Sequence, residues 1–317
     1  MTVSFADHRL PRSAFERWLY ALKPASWPKL FVPALLGQAL GSVRGVDWRA
    51  LGLGLAFTAL GLAFIVLLND WGDRRVDSLK RKMFPEGGSP KTIPDHILAP
   101  QSVGMAGVLC WVATLLTAAG AELALERRFA FLGGLGCTLI FVAYTLPPLR
   151  LNYRGGGELL EMLGVGIALP LYNAYLQAGN IPPRTWPWVA GFALLSLASG
   201  VASGLSDEQS DRAGGKRTWA STFGNAPARR MAEACVLLGA GVWVGSSLWR
   251  PAWVPLVASL PAVAIIAWNF LQMRRVSPSA VTNAFRAQGA YKRHLHRAIW
   301  HSTTLASLVL WLRPSFS

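Results

Sequence analysis

The sequence predicts an all-α, polytopic membrane helical bundle of about nine transmembrane helices, and three observations predict it. Hydrophobic residues make up 52% of the 317-residue chain and charged residues only 15%, against about 25% charged in a soluble domain. Mostly apolar stretches of roughly 20 residues, the length that crosses a bilayer as a helix, recur along the chain. Basic residues gather in alternate connections between those stretches.

Taken in order, residues 12–22 read as a short helix lying at the membrane interface. The opening MTVSFADHRLPRSAFERW has charge but no apolar core, so no cleavable signal peptide is expected. Spans are expected near 28–46, 50–69, 101–121, 129–146, 158–177, 186–205, 231–248, 252–272 and 298–314. Pro170 and Pro261 interrupt the fifth and eighth, which membrane helices tolerate. No stretch remains for a soluble domain longer than a loop, so residues 1–317 read as one membrane-embedded domain.

The net charge of +15 raises nucleic acid as a partner, but its distribution argues against one. With the N-terminus in the cytoplasm and nine alternating spans, 24 of the 31 basic residues fall on the cytoplasmic side. That is the positive-inside bias, and it suggests a cell (inner) membrane protein. The basic segment 274–297 reads as a loop lying on anionic headgroups, with His294 and His296 solvated. Trp18, Trp48, Trp186, Trp188, Trp249 and Trp253 lie near span ends and read as interfacial belts. Cys110, Cys137 and Cys235 each fall inside a span without metal-ligand spacing and read as packing residues.

Only sixteen residues are acidic, and many of them map to the cytoplasmic ends of spans. An Asp at mid-bilayer costs roughly 2.5–3.5 kcal/mol, so acids repeated at one depth indicate a hydrated, charge-compensated cavity. The second span ends in Asn69-Asp70-Trp71-Gly72-Asp73-Arg74-Arg75-Val76-Asp77. If the helix continues at about 100° per residue, Asn69, Asp70, Asp73 and Asp77 share one face. Three carboxylates there repel one another unless a cation sits among them, and hard oxygen donors suit Mg²⁺ shared with phosphate. The sixth span ends in Asp207-Glu208-Gln209-Ser210-Asp211, followed by Arg212, Lys216 and Arg217. Acids for metal with cations just beyond are what a Mg²⁺-bridged diphosphate requires. A lone DxxxD beside Lys and Arg is ordinarily a solvated helix end; two at one membrane face of an acid-poor chain favour function.

With these motifs in view, the chain resembles the UbiA superfamily of intramembrane prenyltransferases. Its two motifs read NDWGDRRVD (69–77) and DEQSD (207–211) here, and DRAGGKRT (211–218) is similar to the family's continuation. The resemblance implies that Asn69, Asp70, Asp73 and Asp77 bind one Mg²⁺ and the diphosphate side, and that Asp207 and Asp211 bind a second. It also implies that Lys216 and Arg217 contact diphosphate. The stretch Tyr144 to Glu158 and the later Tyr175-Leu176-Gln177 resemble the 1,4-dihydroxy-2-naphthoate polyprenyltransferase branch, whereas NDW-x-DRxVD resembles chlorophyll synthases. Where relatives carry Arg-Pro-Ile-Pro-Ser-Gly after the first motif, this chain has residues 80–91, and Lys91 is the candidate phosphate ligand. Arg150, Asn152 and Arg154 stand where relatives place a Lys after the fourth span, and Arg150, Tyr153 and Arg154 are candidate substrate-binding residues.

Such a protein transfers an isoprenyl group from a polyprenyl diphosphate to an aromatic acceptor. Cations would stabilise the departing diphosphate, in a dry chamber that shields an allylic cation. Tyr144, Tyr153 and Glu158 are the candidate bases. Quinone (menaquinone-like) biosynthesis is the expected setting, with a tetrapyrrole or other lipid acceptor as the alternative; the oligomeric state is open. An Asp-lined transporter would place its acids nearer mid-bilayer, and a CDP-alcohol phosphotransferase would carry all of them in one block.

Overall fold

The computed structural model describes residues 13–85 and 91–312. Arg9, Arg12, Glu86 and the end of the ninth predicted span lie outside them. Every long element among the described residues is helical, and each of the nine predicted stretches overlaps a helix. Against nine expected spans, six helices among the described residues are long and apolar enough to cross a membrane: Trp48–Met83, Pro100–Leu125, Gly157–Ala178, Thr185–Ser206, Asn225–Trp249 and Leu256–Ser279. Pro28–Gly41 and Ala130–Thr145 have 14 and 16 residues, about 21 and 24 Å, less than the roughly 30 Å of hydrocarbon.

Local chemistry sets the ends of these helices. Helix α1 (Ala14–Leu22) opens with a capping box between Ser13 and Glu16. Helix α2 (Pro28–Gly41) starts on a proline, which has no N–H to leave unpaired. Helix α3 (Trp48–Met83) is capped by Asp47, whose carboxylate accepts from the Arg49 and Ala50 amides. Helices α4 (Pro100–Leu125) and α5 (Ala130–Thr145) follow. The short α6 (Gly157–Glu161) passes through a π-helical segment (Met162–Ala168) into α7 (Leu169–Ala178). Pro170, read as an interruption, sits just after that segment, where the missing N–H is accommodated by the widened turn. Helix α8 (Thr185–Ser203) ends in a 3₁₀ turn ahead of the short α9 (Glu208–Ala213) and α10 (Trp219–Phe223). The bundle closes with α11 (Asn225–Trp249), α12 (Leu256–Val276) and α13 (Phe285–Leu312).

Helix α3 packs along α4, α8 along α11, α2 against α7 and α13, and α12 along α13. The largest apolar cluster centres on Trp188 and Trp243, fully buried with ring centroids 5.0 Å apart. Each indole N–H finds a carbonyl: Trp188 donates to Trp253 (3.2 Å) and Trp243 to Trp188 (3.1 Å). Trp188 is therefore a core residue rather than part of an interfacial belt, while Trp48, Trp186 and Trp249 are exposed as a belt requires. Gly191 permits this packing, since a Cβ there would meet the Trp243 ring at 2.3 Å. On the other side of the bundle, Gln38 donates to Asn173 (3.0 Å), joining α2 to α7.

Most of the basic segment 274–297 is helical, with only residues 277–284 forming a short connection. Helix α12 runs to Val276 and α13 begins at Phe285. Buried Gln288, Tyr291, Leu295, Ala298 and Ile299 recur at helical spacing beneath the charges. His296 consequently stacks on Trp300, centroids 4.5 Å apart and planes 16° off parallel, instead of being solvated.

Candidate active site

Helix α3 is the scaffold of the site. Its 36 residues extend about 54 Å, well beyond the hydrocarbon thickness, so its last turns reach past the apolar layer without breaking. The first motif is thus helical throughout, and Asp70, Asp73, Asp77 and Lys80 form one buried stripe.

Each carboxylate in that stripe meets a cation. Asp70 pairs with Lys23 and accepts from Thr92 Oγ1 at 2.6 Å. Asp73 pairs with Lys216 at 2.7 Å, with Asn152 Nδ2 at 3.5 Å and Asn69 Nδ2 at 3.4 Å. Asp77 pairs with Lys91 at 2.5 Å. Buried charge is tolerated only when compensated, and here the compensating lysines come from three different parts of the chain.

The second motif joins this cluster. Asp207 lies between the 3₁₀ turn Gly204–Ser206 and α9, and pairs with Lys80 of the first stripe. Lys216, five residues beyond Asp211, reaches back to Asp73. The two motifs, more than a hundred residues apart in sequence, are therefore cross-linked in both directions by ion pairs. An isolated bridge between Arg154 and Arg217, with the Arg217 N–H donating to the Tyr153 carbonyl (3.3 Å), ties the loop after α5 to the same region.

The electrostatics follow from this crowding. Burial raises the Asp207 pKa, but Lys80 and Lys91 outweigh it and hold the carboxyl well below its usual range. Burial, with Asp207 and Asp73 close by, pushes Asp211 up to about 7 against the opposing Lys216. Burial lowers Lys91 and Lys216, yet the surrounding aspartates leave both above the usual lysine value.

Alongside lies a cavity of about 790 Å³. Lys23, Asn69, Lys91 and Asp207 line its charged part, Tyr144 stands on its wall, and Phe57, Leu62, Phe64 and Phe141 supply apolar lining. Asp207 is 31% exposed and lines this cavity.

Three expected phosphate ligands are not brought into the carboxylate cluster. Arg150 donates to the Gly72 carbonyl (2.7 Å) and lies 3.8 Å from the Tyr153 ring. Arg154 is exposed and donates to the Pro148 carbonyl (3.0 Å). Arg217 is exposed at the bridge. For Arg150 and Arg154, backbone carbonyls beside the α5–α6 loop take the guanidinium forks. Tyr153 sits beneath Lys216, its ring centroid 5.5 Å from the ammonium, and Glu158 accepts the Trp219 N–H at 2.7 Å; neither lines the cavity. Conversely, Lys23, Lys80 and Thr92 were missed. The i, i+3, i+7, i+10 spacing of Asp70, Asp73, Asp77 and Lys80 carried a signal for Lys80, masked by its place in a Lys-Arg-Lys run.

Five carboxylates and an amide from two helical segments form a hard-oxygen donor set, and ammonium groups already occupy the space between them. No three acidic, His or Cys side chains among the described residues converge on one point. The demand for positive charge is nonetheless plain in the four lysine contacts, so the chemistry of the residues fits a divalent cation with phosphate.

The sequence profile of the UbiA prenyltransferase family matches residues 30–294. The chain belongs to that family. Its architecture is similar to the solved structure of a UbiA homologue from Archaeoglobus fulgidus bound to DMAPP and Mg²⁺, with a TM-score of 0.67, 18% identity and coverage of 89% of this chain and 99% of that one. The same homologue bound to GPP and Mg²⁺ gives a TM-score of 0.66 at 18% identity, with coverage of 89% and 99%. At such identities the likeness speaks for the UbiA fold alone. Among curated proteins, chloroplastic chlorophyll synthase of Arabidopsis thaliana is 22% identical over 223 residues, 67% of this chain and 54% of that protein. The match thus spans about half the length of that relative.

Proposed function

We propose that this UbiA-family chain is a Mg²⁺-dependent prenyltransferase, a single membrane-embedded domain moving an isoprenyl group from a polyprenyl diphosphate to an aromatic acceptor. The observation that carries this reading is the reciprocal pairing of the motifs, Lys80 with Asp207 and Lys216 with Asp73. The relatives bound to DMAPP or GPP with Mg²⁺ support it.

In this reading Asn69, Asp70, Asp73, Asp77, Asp207 and Asp211 hold Mg²⁺, which when bound neutralises charge on the diphosphate oxygens. Lys91 and Lys216, already held among carboxylates, exchange those partners for phosphate oxygens as substrate arrives. Arg150, Tyr153, Arg154 and Arg217 form the outer rim. As the allylic C–O bond breaks, the lysines stabilise the leaving group, and the apolar wall with Tyr144 keeps water from the cation. Helices α2, α5 and α13 complete a nine-span arrangement in the inner membrane, with the site on the cytoplasmic side.

The resemblance of residues 144–158 supports a quinone-type acceptor in menaquinone-like biosynthesis. The similarity to chlorophyll synthase favours a second reading, a tetrapyrrole acceptor. Purified protein assayed with Mg²⁺, several prenyl diphosphates and a panel of aromatic and tetrapyrrole acceptors separates the two. Asp73→Ala and Asp207→Ala are each expected to lower turnover by at least about 100-fold, the scale of losing one transition-state contact; wild-type rates in both would end the assignment.

A further inference from the structure

Of the candidate bases for the proton lost from the acceptor, Tyr144 lines the cavity but its neutral phenol is a far weaker proton acceptor than a carboxylate, while Tyr153 and Glu158 do not line it. Two acidic residues do, Asp207 and Glu161. Asp207 is paired with Lys80, whereas Glu161 lies outside both motifs. Its carboxylate stands 2.8 Å from the Lys29 ammonium, and both side chains face the cavity.

A second aromatic surface lies beside it. His296 and Trp300, one turn apart on α13, are stacked and line the same cavity. Glu161 and His296 both abut one turn of α8. His296 Nε2 is 3.5 Å from Ser199 Oγ, and a Cβ on Gly200 would meet the Glu161 carboxyl carbon at 3.2 Å. Lys292, a turn before His296, donates to Ser206, the neighbour of Asp207, at 2.9 Å. This wall therefore adjoins the second motif. Directly after Glu161 the helix becomes π-helical over Met162–Ala168, a rare geometry that recurs at functional sites.

We propose that Lys29, Glu161, His296 and Trp300 form the acceptor subsite, with the aromatic ring against the His296–Trp300 stack and Glu161 as the base that takes its proton. The inference rests on the aromatic-acceptor reading and concerns a ring whose attacked carbon carries hydrogen. The C–O bond of the prenyl diphosphate breaks and the diphosphate leaves with the electron pair. A ring carbon bonds to the prenyl carbon, giving an arenium ion. The ring C–H bond then breaks, its electrons restore aromaticity, and the proton passes to the Glu161 carboxylate and on to water. An arenium ion is a strong acid, so a carboxylate whose charge is balanced by Lys29 is basic enough.

The test uses purified full-length protein, geranyl diphosphate, Mg²⁺ and 4-hydroxybenzoate, either protiated or ring-deuterated. Glu161→Gln is expected to slow turnover by about 10²–10⁴-fold, the usual contribution of a positioned base, and to leave binding of a non-reactive thiolodiphosphate analogue unchanged. A primary isotope effect absent from the wild type should appear in the variant, because deprotonation becomes rate-limiting; a residue needed only for folding would not produce it. Glu161→Asp should restore part of the rate. Wild-type ring prenylation with a fast Glu161→Gln variant showing no isotope effect overturns this inference alone. If the wild type prenylates only a carboxylate oxygen of a tetrapyrrole, the aromatic reading falls and the base with it.

Discussion

Lys80 is 3% exposed and its ammonium meets Asp207 across the two motifs. Methionine keeps most of the side-chain length and removes the charge, so Lys80→Met leaves Asp207 without its main partner. Breaking a buried pair on one side costs about 3–5 kcal/mol, and the partial exposure of Asp207 places this pair near the lower figure. Thermal unfolding in detergent should show a clear drop in midpoint for the metal-free variant. Saturating Mg²⁺ should recover part of it, because a cation then replaces the lost ammonium. An unchanged midpoint would mean that Lys80 and Asp207 do not depend on one another. The pair left no local mark in the sequence, since its members are 127 residues apart. By contrast, the Asp stripe was legible, because its members share a single helix and a 3–4 residue spacing.

At the scale of elements, the stretch after residue 90 is held over the first motif by an acid in neither motif. Asp95 takes a bidentate contact from Arg81 (2.7 and 2.8 Å), the Tyr20 hydroxyl (2.8 Å) and the Lys91 amide (3.0 Å). It thereby fastens α1, the end of α3 and the stretch carrying Lys91 and Thr92 to one another. Asp95→Asn keeps the shape and loses the charge-assisted fork. The KM for prenyl diphosphate should rise about tenfold, equivalent to about 1.4 kcal/mol, with kcat changed much less. A fall in kcat alone would contradict a positioning role. Nothing in the sequence around Asp95 signals this role, because its partners come from three separate segments. The helical nature of most of 274–297 was likewise obscured: its dense charge reads as solvated, and its apolar stripe becomes clear only once the charges are set aside.

For the whole molecule, the alternating charge and the helix order make the arrangement across the bilayer testable. Single cysteines at Arg154 and Arg217, both exposed near the motifs, should react with an impermeant maleimide only from the cytoplasmic side, in a variant lacking Cys110, Cys137 and Cys235. A cysteine at Phe129, exposed between α4 and α5, should react from the other. Labelling of all three from one side would refute the orientation. Apolar run length carried most of this architecture, since each predicted stretch overlaps a helix. It could not separate Trp188 from the exposed tryptophans, because nearness to a span end does not reveal which helix face meets the core.

The lysines set among the aspartates bear on how the protein comes to exist. A cluster of bare carboxylates would have to be neutralised from outside before it could settle beside a bilayer. Here the counter-ions belong to the same polypeptide, arriving from α1, from α3 and from the loops after α3 and α9. Four of these carboxylates thus find their opposite charge within one folded chain, so closing the bundle around them brings each together with its own neutralising partner.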